Sequence, residues 1–397
     1  MLKFFNYNNS LFFCLGLLVF SPLSSEIAIN YLHLPLALPE LFIIPFLFLL
    51  KEKFRTIRLN KTSCLKLFFL LILMFIFGVL EGRFSLPSLI SNARVWLYLF
   101  LSYAMFLNEN YITSDDIMYL SFGSLVAWAL LSYLNFSIMG LDESTIAVYG
   151  VMLSIPVFIS TAFSHGNKKV IVCGLLSIAI IMLLSGLRRA IFVFALSIFV
   201  YFVMIFIGNR KKIIAFLFFF LIISVLFIMI LPILGEYIKS ISYGLYHRVF
   251  IRTELLLTNG LSASNDTTRL SNFTYFLDNI QDYIIPHGLI SHQTNMYKGV
   301  GLFNDFPLVQ VSWIFSFPIT VLILFRFLFV LERCMSKFYR YKHVDYLVCS
   351  SSLIVMFSLL FLEGTFLSFV YATPLTGVLL AKAVQLSKSV VKNNISL

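Results

Sequence analysis

Two adjacent arginines, Arg188 and Arg189, follow Leu184-Ser185-Gly186-Leu187 at the junction of two long apolar runs. A guanidinium is planar and permanently charged, and it grips a phosphate or carboxylate through two parallel hydrogen bonds. Ser185 and Gly186 leave backbone N–H groups accessible near the start of the next run, so the stretch suits an anion such as a lipid diphosphate. The plainer use of such arginines is to snorkel from a helix end to lipid head groups. Arg83 and Arg94 bracket a second short connection, with Glu81 and Asn92 nearby. They offer more of the same anion site, contacts to a sugar, or a surface ion pair of Glu81 with one arginine.

Further along, Arg269 stands at the head of a stretch with Leu270, Phe273, Phe276, Leu277 and Ile280 on one helical face. Asp266 or Thr267 is placed to cap that helix. Then come Pro286-His287-Gly288-Leu289-Ile290-Ser291-His292 and, before the next apolar run, Asn304 and Asp305. Breaking a sugar–diphosphate bond releases a good leaving group, so cationic stabilisation of the developing charge matters more than a general acid. The attacking hydroxyl would give its proton to a base, for which His287, His292, Asp266 and Asp305 are the accessible candidates. Each of the four also fits a cap, a turn or a plain surface position. Asp278 and Asp282 lie one helical turn apart and read as surface carboxylates, and Glu363 suits either a cavity wall or a cap. His287 and His292 are one residue off the helical ligand spacing, and no glycine-rich phosphate loop occurs, so neither metal nor nucleotide cofactor is expected.

The elements that must carry these residues are membrane spans. Of the 397 residues 60% are hydrophobic and 12% charged, with a mean hydropathy of +0.95, far from the balance of a soluble domain. Apolar runs long enough to cross a bilayer recur from end to end, about twelve in all. They lie near 11–30, 36–50, 65–80, 92–107, 117–138, 146–163, 170–185, 189–207, 213–233, 306–328, 345–362 and 365–383. The first lacks a small-x-small cleavage site and reads as a retained helix. The second carries Pro39, Glu40 and Pro45 and reads as broken or tilted. Cys14, Cys64, Cys173, Cys334 and Cys349 read as small packing residues.

The net charge of +11 does not mark a nucleic-acid binder, because the cations sit in short connections between spans. Twenty of the 29 fall on one side of the predicted topology, which the positive-inside rule makes cytoplasmic together with both termini. The other nine are Arg83, Arg94, Arg188, Arg189, Lys239, Arg248, Arg252, Arg269 and Lys298, seven of them arginine. Orientation needs no particular cation, whereas phosphate recognition favours arginine. The chain therefore divides into an N-terminal bundle of about nine spans (1–233), a large outer loop (234–305) and a C-terminal bundle of about three spans with a tail (306–397). The loop is aromatic and too apolar for disorder, so short helices over the mouth of the bundle are expected.

This order of motifs resembles the O-antigen ligase and polymerase (Wzy-type) superfamily of bacterial surface-polysaccharide assembly. A small-residue and Arg motif between mid-chain spans is matched by Ser185, Gly186 and Arg188 or Arg189. The family's large periplasmic loop, with an Arg opening an amphipathic helix, a run ending in Gly and a polar pair before the next span, is matched by Arg269, Gly288, Asn304 and Asp305. Ligases place a His directly before that Asn, and Phe303 stands there, which tilts the choice toward a polymerase. The resemblance implies an all-α, polytopic inner-membrane protein of the lipid-linked glycosyltransferase type. Its substrates would be undecaprenyl-diphosphate-linked oligosaccharides drawn from the membrane lipid, with a chain-length regulator as partner. From the residue chemistry and the resemblance together, Arg188, Arg189, Arg269, His287, His292 and Asp305 are the expected catalytic residues, and Arg83, Arg94, Ser185, Gly186, Asp266 and Asn304 the substrate contacts. A flippase for the same units would carry charges inside its spans. Here the spans are almost free of charge and the candidate cations lie on one side, which favours a transferase.

Overall fold

The structure, a computed structural model, describes residues 7–19, 61–81, 86–107, 112–143, 151–165, 167–185, 188–251, 267–289, 296–297, 300–301, 307–362 and 372–388. Within them the apolar runs are helices: α1 (Tyr7–Leu18), α2 (Lys61–Leu80), α3 (Leu86–Phe106), α4 (Ser114–Glu143), α5 (Ser154–His165), α6 (Lys168–Ser185) and α7 (Arg188–Phe206). They continue with α8 (Arg210–Ile241), α9 (Tyr243–Tyr246), α10 (Thr267–Asp278), α11 (Pro307–Phe315), α12 (Phe317–Tyr341), α13 (Val344–Leu362) and α14 (Thr373–Lys388). A π turn at His247–Ile251 and a 3-10 turn at Ile280–Tyr283 complete the helical part. The other regular element among the described residues is a two-residue antiparallel pairing, Met296–Tyr297 with Val300–Gly301. The chain is all-helical in class.

Among the described residues three helices are long and apolar enough to cross a membrane: Ser114–Ser137 within α4, Arg189–Phe206 within α7 and Val344–Phe361 within α13. Shorter apolar helices cover Asn9–Leu18 and Leu65–Leu80. Large apolar side chains point outward in rows at helical spacing, as Val172, Leu176, Ile180 and Leu183 do on α6. On α8 the outward row includes Ile214, Phe218, Leu221, Val225 and Met229. Contiguous outward apolar faces of this extent call for an apolar surround, and on helices of this length a bilayer supplies it.

Two expected spans differ in detail. The run at 306–328 is not one helix: Ser316 takes a φ of 88° and divides it into α11 and α12. Pro318 then occupies the first turn of α12, where its missing N–H costs nothing. The run at 213–233 extends to Ile241 in spite of Pro232, so part of the expected loop is helix. Asn209 starts that helix by accepting the N–H of Lys212 at 3.2 Å. The expected span at 36–50 lies outside the described residues.

The helices group into two compact units, and neither is a sequence half. The first comprises residues 1–39 and 115–267, the second 40–114 and 268–397. In the first, α1 crosses α4 at Gly16 and Gly123, where a β-carbon on either glycine would strike backbone of the other helix. Ser124 of α4 and Ser154 of α5 share a buried hydrogen bond of 3.0 Å, an interhelical contact worth about 0.6–2 kcal/mol in a membrane bundle. Phe199 and Phe202 of α7 pack against Phe216 of α8. In the second, α14 lies along α3, and Gly377 lets the backbones close around Ser102 and Leu99. Helices α11, α12 and α13 stack beside them, and α2 packs on α3.

Candidate functional site

The second unit brings chain positions more than two hundred apart into one polar cleft. Its floor is the end of α2, where Gly78 leaves the helix surface bare and Glu81 extends the last turn, its N–H donating to Phe77 O at 3.1 Å. Onto this surface comes the turn that follows α10. Gly288 has a φ of 77°, and a β-carbon there would collide with Met74 O, Gly78 N and Phe77 Cβ. Only glycine fits both the backbone angle and the gap. With that approach made, Leu289 N donates to Met74 O at 2.9 Å and His287 N donates to Trp313 O at 2.9 Å. The turn is thus tied at two places, once to α2 and once to the end of α11.

These ties aim the imidazole of His287. Its Nδ1 lies 2.9 Å from Glu81 Oε2 and its Nε2 lies 2.8 Å from the backbone oxygen of Asp282. A carboxylate and a carbonyl only accept, so the ring satisfies both partners when both nitrogens carry protons. The imidazolium then forms a charge-assisted pair with Glu81. One face of the ring stacks on Trp313, with centroids 4.0 Å apart and planes 16° from parallel, so the aromatic face supports the charge. The side chains of His287 and Glu81 are 16% and 28% exposed, which makes the pair neither buried nor free in solvent.

An aromatic frame fixes this arrangement from behind. Phe276 of α10 meets Tyr283 edge to face at 4.8 Å and Phe317 of α12 at 6.0 Å, and Tyr283 meets Trp313 at 6.0 Å. Trp96 of α3 packs edge-on against Phe315 at 5.3 Å. Phe276, Tyr283 and Trp313 are all fully buried, so the frame joins α10, the 3-10 turn, α11 and α12 into one support. In front lies a cleft of about 400 Å³, within the size range of small-molecule sites. Glu81, Gln281, Asp282 and His287 supply its polar groups, and Phe77, Leu80, Ile285 and Pro286 its apolar walls.

Of the residues expected from the sequence, His287 is central to this cleft. Arg269 lies in the first turn of α10, the helix that leads into the cleft turn, and Arg94 is half-buried on α3. Both belong to the second unit. In the first unit, Ser185 ends α6 while Arg188 and Arg189 open α7, with Arg189 half-buried. The arginine pair thus sits at a junction between two apolar helices, as its spacing suggested. Arg83, Gly186, Asp266, His292, Asn304, Asp305 and Glu363 lie outside the described residues.

The amphipathic helix expected after Thr267 is present as α10, with Phe276 as its buried anchor. It stops at Asp278, and the chain tightens into a 3-10 turn from Ile280. Asp278 and Asp282 therefore do not share one helical face as their spacing suggested. Asp278 is exposed, whereas Asp282 lines the cleft. The sequence also pointed to an arginine as partner for Glu81, and the pair formed is with His287. Its one sequence signal is an acidic residue closing an apolar helix one turn after a glycine. No family profile, curated protein or solved structure matches the chain.

Proposed function

We propose that the protein is a polymerase of bacterial surface polysaccharide, moving a growing glycan from undecaprenyl diphosphate to the next lipid-linked repeat unit at the periplasmic face of the inner membrane. In this reading the chain crosses the membrane about twelve times with both termini in the cytoplasm, and residues 234–305 form the periplasmic loop. An acceptor hydroxyl attacks the anomeric carbon of the donor, and the bond from that carbon to the diphosphate oxygen breaks. The hydroxyl proton passes to a base, and undecaprenyl diphosphate leaves with its added negative charge held by guanidinium groups of the outer loops. Arg188, Arg189, Arg269, Arg94 and Arg83 are the arginines assigned to that task. The diphosphate leaves readily by itself, so the reaction as proposed calls on no metal.

The observation that carries the reading is the cleft on α2. It is open and rich in polar groups, it lies at the end of an apolar helix, and it is framed by the helix that Arg269 opens. A transferase working on sugars at a membrane surface needs such a site. Support also comes from the choice of cation: on the side where orientation does not ask for cations seven of nine are arginine, against six of twenty on the other.

The test is replacement of Arg188, Arg189 and Arg269, each by Ala, in a strain lacking the native copy, followed by sizing of the surface polysaccharide. Loss of polymerisation leaves single repeat units on the lipid core and supports the proposal. Complete absence of surface glycan with units held in the outer leaflet identifies a ligase instead. Units trapped in the inner leaflet identify a flippase, and unchanged chain length in all three variants removes the arginines from the reaction and the polymerase reading with them.

A further inference from the structure

We infer that the cleft between the end of α2 and the Gln281–His287 turn is a carbohydrate subsite, in which Glu81 accepts a hydrogen bond from a sugar hydroxyl and His287 holds Glu81 in place. The inference deepens the polymerase reading and rests on it for the source of the sugar, one of the two lipid-linked units. Its geometric basis is independent of that reading.

The chemistry of the lining selects the ligand class. Among the described lining residues the basic group is the His287 imidazole, and its Nδ1 lies 2.9 Å from Glu81. Glu81 and Asp282 put two carboxylates among the described lining residues, which favours a ligand that donates hydrogen bonds over one that only accepts them. A hydrated cation would find apolar walls in Phe77 and Ile285 over much of the surface. A neutral ring bearing several hydroxyls fits both halves: its hydroxyls donate to carboxylates and exchange hydrogen bonds with the Gln281 amide, while its C–H faces lie on the apolar walls.

Glu81 is also presented for binding. One carboxylate oxygen, Oε2, is occupied by His287, and among the described residues no hydrogen bond falls on Oε1. The imidazole has both nitrogens engaged, by Glu81 and by the Asp282 carbonyl, and one face covered by Trp313. No lone pair remains on it for a substrate proton, so His287 is a positioning residue and Glu81 the group that meets the ligand.

The experiment uses the purified full-length protein in lipid nanodiscs and a mixture of methyl hexosides (glucoside, galactoside, mannoside and N-acetylglucosaminide), read by saturation-transfer NMR, with inorganic diphosphate as competitor. At least one hexoside is expected to receive saturation. Its binding should weaken about tenfold in Glu81→Gln, the loss of one hydrogen bond to a charged group. His287→Gln, whose amide can still donate to one partner, should bind the hexoside more tightly than His287→Ala at equal melting temperature, a graded effect that a purely structural role for His287 would not give. No transfer to any hexoside, transfer indifferent to Glu81→Gln, or displacement by diphosphate overturns the subsite. A hexoside lost in Glu81→Gln together with full-length polysaccharide in the three arginine variants keeps the subsite and removes the polymerase. Short chains in those variants with no hexoside binding do the reverse.

Discussion

A charge pair lies near each end of helix α12, and the two are built to opposite designs. Its 25 residues set the Phe317 end about 30 Å from Lys337 at about 1.5 Å per residue. At the lysine end, Lys382 Nζ lies 2.6 Å from Ile112 O and 3.4 Å from Asp345, with side chains only 9% and 18% exposed. Lys337 Nζ donates to the last carbonyls of α14, Leu386 O at 2.7 Å and Ser387 O at 3.0 Å. Between them Cys334, beyond the charged Glu332 and Arg333, points its sulfur at Ala383 O, and burial pushes its thiol up to about 12. The charges there are directed onto protein oxygens. At the cleft end the Glu81–His287 pair is more exposed, one of its oxygens is left over, and a cavity adjoins it. A closed pair ties helices together, whereas an open one on a rigid frame presents a group to something else.

The sharpest way to break this contrast is at the closed end. Lys382→Ala strands the Asp345 carboxylate in a poorly solvated place, and breaking a pair of this burial costs about 3 kcal/mol or more. The apparent melting temperature of the solubilised full chain should fall accordingly. The double variant Lys382→Met with Asp345→Asn should recover most of the loss, because no charge is then left without its partner. Hexoside binding by the fraction that remains folded should match the parent. A loss of binding in the stable double variant would mean that the two ends are not separate devices.

At the open end the corresponding lesion is Gly288→Ala. The added methyl meets backbone atoms of Met74 and Gly78, and the positive φ adds strain, so the turn has to leave α2. The expected stability loss is about 2 kcal/mol, smaller than at Lys382 because undocking the turn strands no charge. The functional loss should be larger, since the same turn holds His287 and the cleft wall. Protease sensitivity confined to the segment after α10, together with shortened surface glycan, is the pattern to look for. A variant with normal glycan length would show that the docked turn is not needed.

The two ends also differed in how much of them could be read from the chain. Helix placement was legible because long apolar runs have few alternatives in a bilayer. Lys168–Ser185 and Arg188–Phe206 fall close to the runs from which they were expected, with the arginine pair at their junction. Helix α10 was legible from the periodicity of Phe273 and Phe276. The break at Ser316 was not, because nothing in Phe315-Ser316-Phe317-Pro318 distinguishes a kink from a helix that begins late. Lys382 counted only as one of the C-terminal cations among the twenty on the richer side, and its burial against Asp345 depends on the packing of α14. The Glu81–His287 pair was hidden for the same reason. Residues 206 positions apart meet through Gly78 and Gly288, and a sequence shows each glycine without showing that they face each other. His287 drew notice as a base by its residue type, while the feature that changes its role, two acceptors on one ring, exists only in the folded chain.

The mildest test of the comparison is Lys337→Met. Methionine keeps the length and packing of the side chain and removes only the ammonium group that binds the end of α14. Carbonyls at a helix end that lose such a donor turn to water or fray, and Lys337 is only half-buried, so the cost should be about 1 kcal/mol. Because α14 lies along α3, the readout that isolates the effect is amide hydrogen exchange in the last turn of α14. Faster exchange there, with no change in the segment from Ile280 to Leu289, is the expected pattern. Loosening of that distant segment as well would mean that α12 transmits the state of one end to the other, and the division into a closed anchor and an open site would have to be abandoned.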